Sequence, residues 1–346
     1  MFENHPIDKI LDFFKGKHIL ITGAGGFIGS HLARWFHTNN VFIRAVDIKW
    51  DGFLEEPYYS EKLNLDLRYL ENCMKATDGI DYVFNFAANM GGIGFITSVG
   101  ADVMYDNVLI NAYMIKACVE RKVHRLFFPS SACVYPTYKQ NSTEVTSLKE
   151  SDAVPADPDN FYGWEKLYTE KMLEAFTRDS GLEVRVARLH NIYGPNGTYV
   201  GGREKAPAAI CRKVAEVSDP GEIDVWGDGN QTRSFCFIDD CLEGILLLMV
   251  SDCREPLNIG SDRLISINDL ADMIIKISGK KISKKHNLQA PQGVRGRNSD
   301  NTKLRQVLGW EPRTSLEEGM QKTYTWIESM VKKELKPSKK KKALKK

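Results

Sequence analysis

The sequence has no Cys-x-x-Cys pair and no histidine spaced to complete a zinc site with any of its cysteines. Those cysteines, Cys73, Cys118, Cys133, Cys211, Cys236, Cys241 and Cys253, are odd in number and scattered. The pattern argues against a zinc module or a disulfide scaffold, and it predicts reduced thiols, a cytoplasmic protein and no bound metal. Long apolar runs are lacking too. The longest, residues 244–250, is far below the roughly 20 residues a helix needs to cross a bilayer, so no membrane span is expected. Residues 1–17 have charges and Phe13-Phe14 but no apolar core or small-residue cleavage site, which predicts no signal peptide. A formal charge of +2 over 346 residues offers no long-range field, so neither nucleic acid nor a membrane surface is expected as a partner. Much of the positive excess lies in Lys339, Lys340, Lys341, Lys342, Lys345 and Lys346, a like-charge block that predicts a disordered basic tail over residues 336–346.

What is present is a regular alternation. Short apolar runs at residues 18–22, 41–47, 81–87, 125–130 and 184–189 read as strands, and 27–36, 102–121 and 160–180 carry helical spacing between them. Buried strands alternating with helices predict an α/β chain built on a doubly wound parallel Rossmann sheet. After Asn191 the rhythm loosens into glycine-rich loops, with helices expected at 205–217, 239–249, 267–277 and 316–335 and short strands at 223–226, 235–238 and 257–259. The division expected is a nucleotide-binding domain over 1–190, to which later segments return, and a smaller, partly interleaved substrate lobe over 191–335.

Gly23-Ala24-Gly25-Gly26-Phe27-Ile28-Gly29 follows a strand and opens a helix. A turn there directs backbone N–H groups at a pyrophosphate, and the helix N-terminus favours negative charge, which makes Gly23, Gly26, Phe27 and Ile28 cofactor contacts. Asp47 ends the next strand, where a carboxylate accepts hydrogen bonds from a ribose diol and repels a 2′-phosphate. NAD is therefore expected, with Arg44 and Lys49 beside Asp47 leaving NADP as the alternative. Asp66 stands where a third strand would end and reads equally as an adenine contact or a helix cap.

Tyr162 and Lys166 are four residues apart, on one face of a helix. An ammonium near a phenol favours the phenolate, which suits general-base catalysis. Ser131 ends a strand and lies near the expected substrate hydroxyl. Two residues on, Cys133 offers a thiol able to move a proton at a neighbouring carbon; the alternative is a buried apolar filler, the commoner fate of a free cysteine.

With these marks the chain resembles the extended short-chain dehydrogenases/reductases that act on nucleotide sugars. The closer resemblance is to the GDP-mannose 3,5-epimerases, carried by residues 89–95, 130–136, 190–195, 201–209, 226–235 and 293–300. The resemblance implies an NAD-dependent isomerase acting on GDP-mannose, and a homodimer. It further implies oxidation at the sugar C4, with Tyr162 taking the proton, then inversion at C5 and C3 by Cys133 and Lys205 on opposite ring faces. Asn191, Lys213, Arg233 and Arg295 would hold the diphosphate, and Gly91 would bring backbone close to the hexose. Other readings are a 4-epimerase or 4,6-dehydratase of another nucleotide sugar, and a non-catalytic NAD-binding scaffold.

Overall fold

Residues 19–21 are wholly buried although their side chains alternate in direction, so both faces of this strand must be covered. The computed structural model, which describes residues 6–50, 52 and 58–335, shows how. Its main sheet contains β1 (His18–Thr22), β2 (Phe42–Asp47), β3 (Glu61–Asn64), β4 (Tyr82–Asn85), β5 (Arg125–Ser131) and β6 (Glu183–Leu189). Helices α1 (Pro6–Phe14) and α2 (Phe27–Thr38) bury Ile10, Phe14, Leu32 and Phe36 against Ile19 and Ile21 on one face. On the other, α3 (Leu70–Ala76), α5 (Gly100–Glu120) and α6 (Phe161–Ser180) cover Leu20, Val83, Leu126 and Phe128. Short α4 (Ile93–Ser98) precedes α5. The expected basic tail lies outside the described residues.

The rest of the chain contributes β7 (Ile192–Tyr193), α7 (Ala206–Glu216), β8 (Gly221–Trp226), β9 (Thr232–Arg233), β10 (Cys236–Phe237), α8 (Ile238–Val250) and β11 (Leu257–Ile259). It continues through β12 (Ile265–Ser266), α9 (Ile267–Ser278), β13 (Ile282–Asn287), β14 (Gly296–Arg297), α10 (Thr302–Leu308) and α11 (Leu316–Leu335). The seven-stranded order is β11-β6-β5-β4-β1-β2-β3, every pairing parallel, so strand order reverses beside β1 and opens a crevice at the strands' carboxyl ends. The strand expected at 235–238 shortens to β10, paired with β7. β13 was not legible as a strand: apart from Ile282 it is polar and largely exposed, and it pairs with β8 in a two-stranded sheet separate from the main one.

A buried ion pair fixes the end of the sheet that matters here. Arg188 on β6 meets Glu170 on α6 at 2.7 Å, both side chains only 5% exposed. Ser130 donates to the same carboxylate at 2.5 Å, and Arg188 also donates to the Glu150 carbonyl. Arg188→Met would strand the Glu170 carboxylate in a dry interior. We expect a loss of about 3–5 kcal/mol, read as a lower urea midpoint.

Candidate active site

The site is built at the crevice from the glycine turn after β1, the end of β5, the start of α6 and two loops of the C-terminal part. In the turn, Gly23 has φ +64°, and a side chain at Gly25 would put its Cβ 2.0 Å from the Lys49 carbonyl oxygen. A Cβ at Gly29 would lie 2.3 Å from the Gly23 oxygen, so only glycine lets α2 start this close to the turn. These close approaches make a cradle for a pyrophosphate at the N-terminus of α2, which the donor types and the glycines fit. Asp47 organises the rim: its carboxylate accepts from the backbone N–H groups of Gly25 (2.9 Å), Ile48 (2.7 Å) and Lys49 (3.0 Å). Asp66 is held by Arg68, whose guanidinium and backbone N–H both donate to it, so its carboxylate closes a local turn. The Arg68 side-chain bond holds the Asp66 pKa below the ordinary range, against burial, which raises it.

The catalytic candidates converge. Asn160 caps α6, accepting from the Gly163 N–H at 2.9 Å, and this sets Tyr162 in the first turn. A Cβ at Gly163 would sit 2.2 Å from the Cys133 carbonyl oxygen, so glycine there brings α6 directly against the Cys133 backbone. Ser131 accepts from the Cys133 N–H at 3.1 Å and turns the chain after β5. Cys133 then packs in a small apolar group with Tyr162, Met90, Ile93 and Phe95.

Burial pushes the Tyr162 phenol far up; Cys133 and Glu165 add to this, and the Ser131 hydroxyl opposes it. The lysine contribution expected from the sequence is not what the geometry delivers. The Lys166 ammonium lies over the rings of Phe128 at 4.6 Å and Tyr162 at 5.5 Å, on the face of the phenol. Its own pKa is lowered by loss of hydration, against the pull of Glu165 and Glu170.

Lys205 enters from the far wall as the residue before α7, where Pro207 suits the first turn. Burial lowers its pKa, and the Cys133 and Cys241 thiols act in the other direction. Its loop is tied to residues 89–95: Gly92 N–H donates to the Arg203 carbonyl at 2.9 Å, and a Cβ at Gly92 would lie 2.4 Å from the Glu204 oxygen. Arg203 stacks on Phe95 at 3.7 Å and donates to the Met90 carbonyl at 3.1 Å. The glycine expected to face the sugar, Gly91, lies next to this seam.

The four diphosphate candidates lie in the C-terminal part of the chain. Trp226 packs on Gly94, and Lys213 reaches over the Trp226 ring while donating to the Asp224 carbonyl at 2.6 Å. Arg233 donates to the Thr232 and Gln292 carbonyls. Burial, then Arg297 beside it, brings the Arg233 pKa down to about 9. Arg295 forks onto Asp228 at 3.1 and 3.0 Å. Asn191, at φ +42°, donates to the Ser234 carbonyl at 3.0 Å, next to Arg233. Lys213 and Arg295 thus face protein carboxylates that an anionic ligand must displace or share. One charged neighbour, Arg297, was missed as a single residue, although it stands within the quoted segment 293–300.

Residues 19–260 match the model of the NAD dependent epimerase/dehydratase family. The chain belongs to that family. Over 317 residues it is 50% identical to GDP-mannose 3,5-epimerase of Arabidopsis thaliana, an alignment spanning 91% of this chain and 83% of that one. GDP-mannose 3,5-epimerase 1 of Oryza sativa subsp. japonica is equally similar over the same shares. Among solved structures, UDP-glucose 4-epimerase of Thermotoga maritima superposes with a TM-score of 0.83 at 27% identity, covering 91% of this chain and 99% of that one. The doubly wound fold and the NAD-dependent isomerase class expected from the sequence are therefore established.

The cradle can be tested directly. In Gly25→Ala the new methyl group collides with the Lys49 carbonyl and forces the turn away from Asp47. We expect about tenfold less NAD retained, measured as nicotinamide released when the purified protein is denatured.

Proposed function

We propose that this protein converts GDP-D-mannose to GDP-L-galactose, with GDP-L-gulose arising from inversion at C5 alone. The observation that supports this reading is the convergence of Cys133 and Lys205 on Ser131 and Tyr162, in a chain half identical to such epimerases. Tyr162 removes the proton of the C4 hydroxyl, which Ser131 orients. NAD, held by the cradle at Gly23, Gly26, Phe27 and Ile28 with Asp47 at its rim, would supply hydride-transfer chemistry at C4. The ketone at C4 acidifies the C–H bonds at C5 and C3, and each inversion needs a base on one ring face and an acid on the other. Cys133 and Lys205 supply these two roles. Asn191, Lys213, Arg233 and Arg295 hold the diphosphate, where guanidinium forks match phosphate oxygens. Asp47 positions the cofactor ribose and Asp66 the adenine end. A 4-epimerase or a dehydratase needs no such second pair at C3, and a scaffold needs neither pair.

A homodimer and a cytoplasmic location belong to the same reading. Exposed Tyr105 on α5 and Phe161, Trp164 and Tyr168 on α6 support pairing through these sheet-flanking helices. The free cysteines, on which the chemistry depends, support a reducing compartment.

Turnover of GDP-mannose in D2O should place deuterium at C3 and C5 of the recovered sugars, read by NMR, and absence of label at both carbons would refute the assignment. Tyr162→Phe should lower kcat by about 10²–10⁴-fold. The variant should keep its NAD; unchanged turnover would remove Tyr162 from the proton-transfer role.

A further inference from the structure

Between Tyr162 and Lys166 on α6 stands Glu165, a wholly buried acid. Its Oε1 accepts from Asn111 Nδ2 at 2.6 Å and from the Thr169 hydroxyl at 3.1 Å, while Oε2 is buried without a hydrogen-bond partner. An unsatisfied carboxylate oxygen in a dry interior is costly, so its presence needs a reason.

The hydrogen bonds leading to Glu165 all run one way. The Ala87 backbone N–H, which can only donate, bonds to Thr22 Oγ1 at 3.0 Å, and the Thr22 hydroxyl donates to Asn85 Oδ1 at 2.8 Å. Asn85 Nδ2 donates to Asn111 Oδ1 at 3.0 Å, and Asn111 Nδ2 then donates to Glu165. One residue each from β1, β4, α5 and α6 makes this chain, and Thr22, Asn85 and Asn111 are at most 2% exposed. Its first member adjoins the nucleotide turn, since a Cβ at Gly23 would lie 2.8 Å from the Ala87 nitrogen. Its last is a group that only accepts.

Lys166 is the neighbour with a use for that carboxylate. Only 2% exposed, its ammonium rests on the ring faces of Phe128 and Tyr162. Burial lowers its pKa, and Glu165, then Glu170, act the other way. Glu170 is already taken by Arg188 and Ser130. From the turn after β5, Cys133 faces the phenol, and α5 presents the neutral Asn111. Of the two acids that act on Lys166, Glu165 is therefore the one without a cation of its own. A cation over an aromatic face is held more firmly once the ring carries a phenolate charge, so an ammonium kept there favours proton removal by Tyr162.

We propose that Glu165 is a positioning residue for proton removal at C4: tied through Asn111 to the nucleotide turn, its carboxylate is the counter-charge that holds the Lys166 ammonium over the Tyr162 ring. The catalytic half of this proposal rests on the epimerase reading; the Glu165–Lys166 half does not.

Glu165→Gln isolates the charge. A glutamine Oε1 accepts from Asn111 and Thr169 as before, and its amide nitrogen takes the place of the unpartnered oxygen. The measurement uses NAD-bound protein carrying lysine labelled with 13C at the ε carbon, followed by NMR across pH; the Lys166 signal is the one missing from Lys166→Arg. Wild-type Lys166 should be protonated at pH 7. In Glu165→Gln its midpoint should fall by about 1–3 pH units, because removing a nearby opposite charge disfavours the ammonium. The alkaline limb of kcat for GDP-mannose should move to lower pH with it, and bound NAD should be unchanged. A purely structural acid would lower the urea midpoint and leave both pH values in place. A neutral wild-type Lys166 at pH 7 overturns the proposal even if Glu165→Gln does not fold, and so does an unmoved midpoint in a folded variant. If the midpoint falls but the alkaline limb stays, the catalytic half is refuted. Absence of C3 and C5 exchange in wild type, with the midpoint shift intact, refutes the epimerase reading alone.

Discussion

The Arg188–Glu170 ion pair is the constraint on which the site depends. It joins β6 to α6, and Ser130 ties the end of β5 to the same carboxylate. Arg188 also reaches Tyr135, whose hydroxyl donates to Asn258 on β11, and His190 shares that asparagine oxygen. Three adjacent strands and α6 thus meet in one buried polar cluster beside Ser131. Taking two charges out of water is costly, and such a pair is stabilising only when hydrogen bonds satisfy its remaining donors and acceptors. Here they do, and α6 has one position along the sheet, which is what Tyr162 and Lys166 need.

Around that anchor, missing side chains decide distances. Gly163 brings α6 onto the Cys133 carbonyl, Gly92 brings the 89–95 loop onto Glu204, and Gly25 brings the nucleotide turn onto Lys49. Each contact is closer than a Cβ allows, and each links two segments far apart in the chain. Glycine here serves as a spacer of minimum thickness, so that the segments meet backbone to backbone.

Electrostatically the pocket reconciles two chemistries. Burial drives Tyr162 up and Lys166 and Lys205 down, which keeps all three reluctant to charge until an ionic ligand arrives. Arg233, Arg295 and Arg297 give the C-terminal wall a positive character suited to an anionic ligand.

The strands of the first half were legible because apolar runs bounded by glycine have few other folds available, and the glycine turn and Tyr-x-x-x-Lys spacing place their residues by local geometry alone. β11 was legible as a strand, and its membership of the sheet beside β6 follows from burial of Leu257 and Ile259. By contrast β13 and α4 carry little periodic signal, and their places come from pairing and packing. Residue identity at Ser131, Cys133, Tyr162 and Lys205 was readable from the sequence, as was the family. Three matters belonged to the tertiary structure: that Lys166 lies over the phenol ring, that Arg297 reaches the sulfur across more than 160 residues of chain, and that Lys213 and Arg295 hold carboxylates of their own. The reason is physical. Local spacing fixes which side chains share a helix face, but a side chain's partner across the fold depends on how the layers close around it.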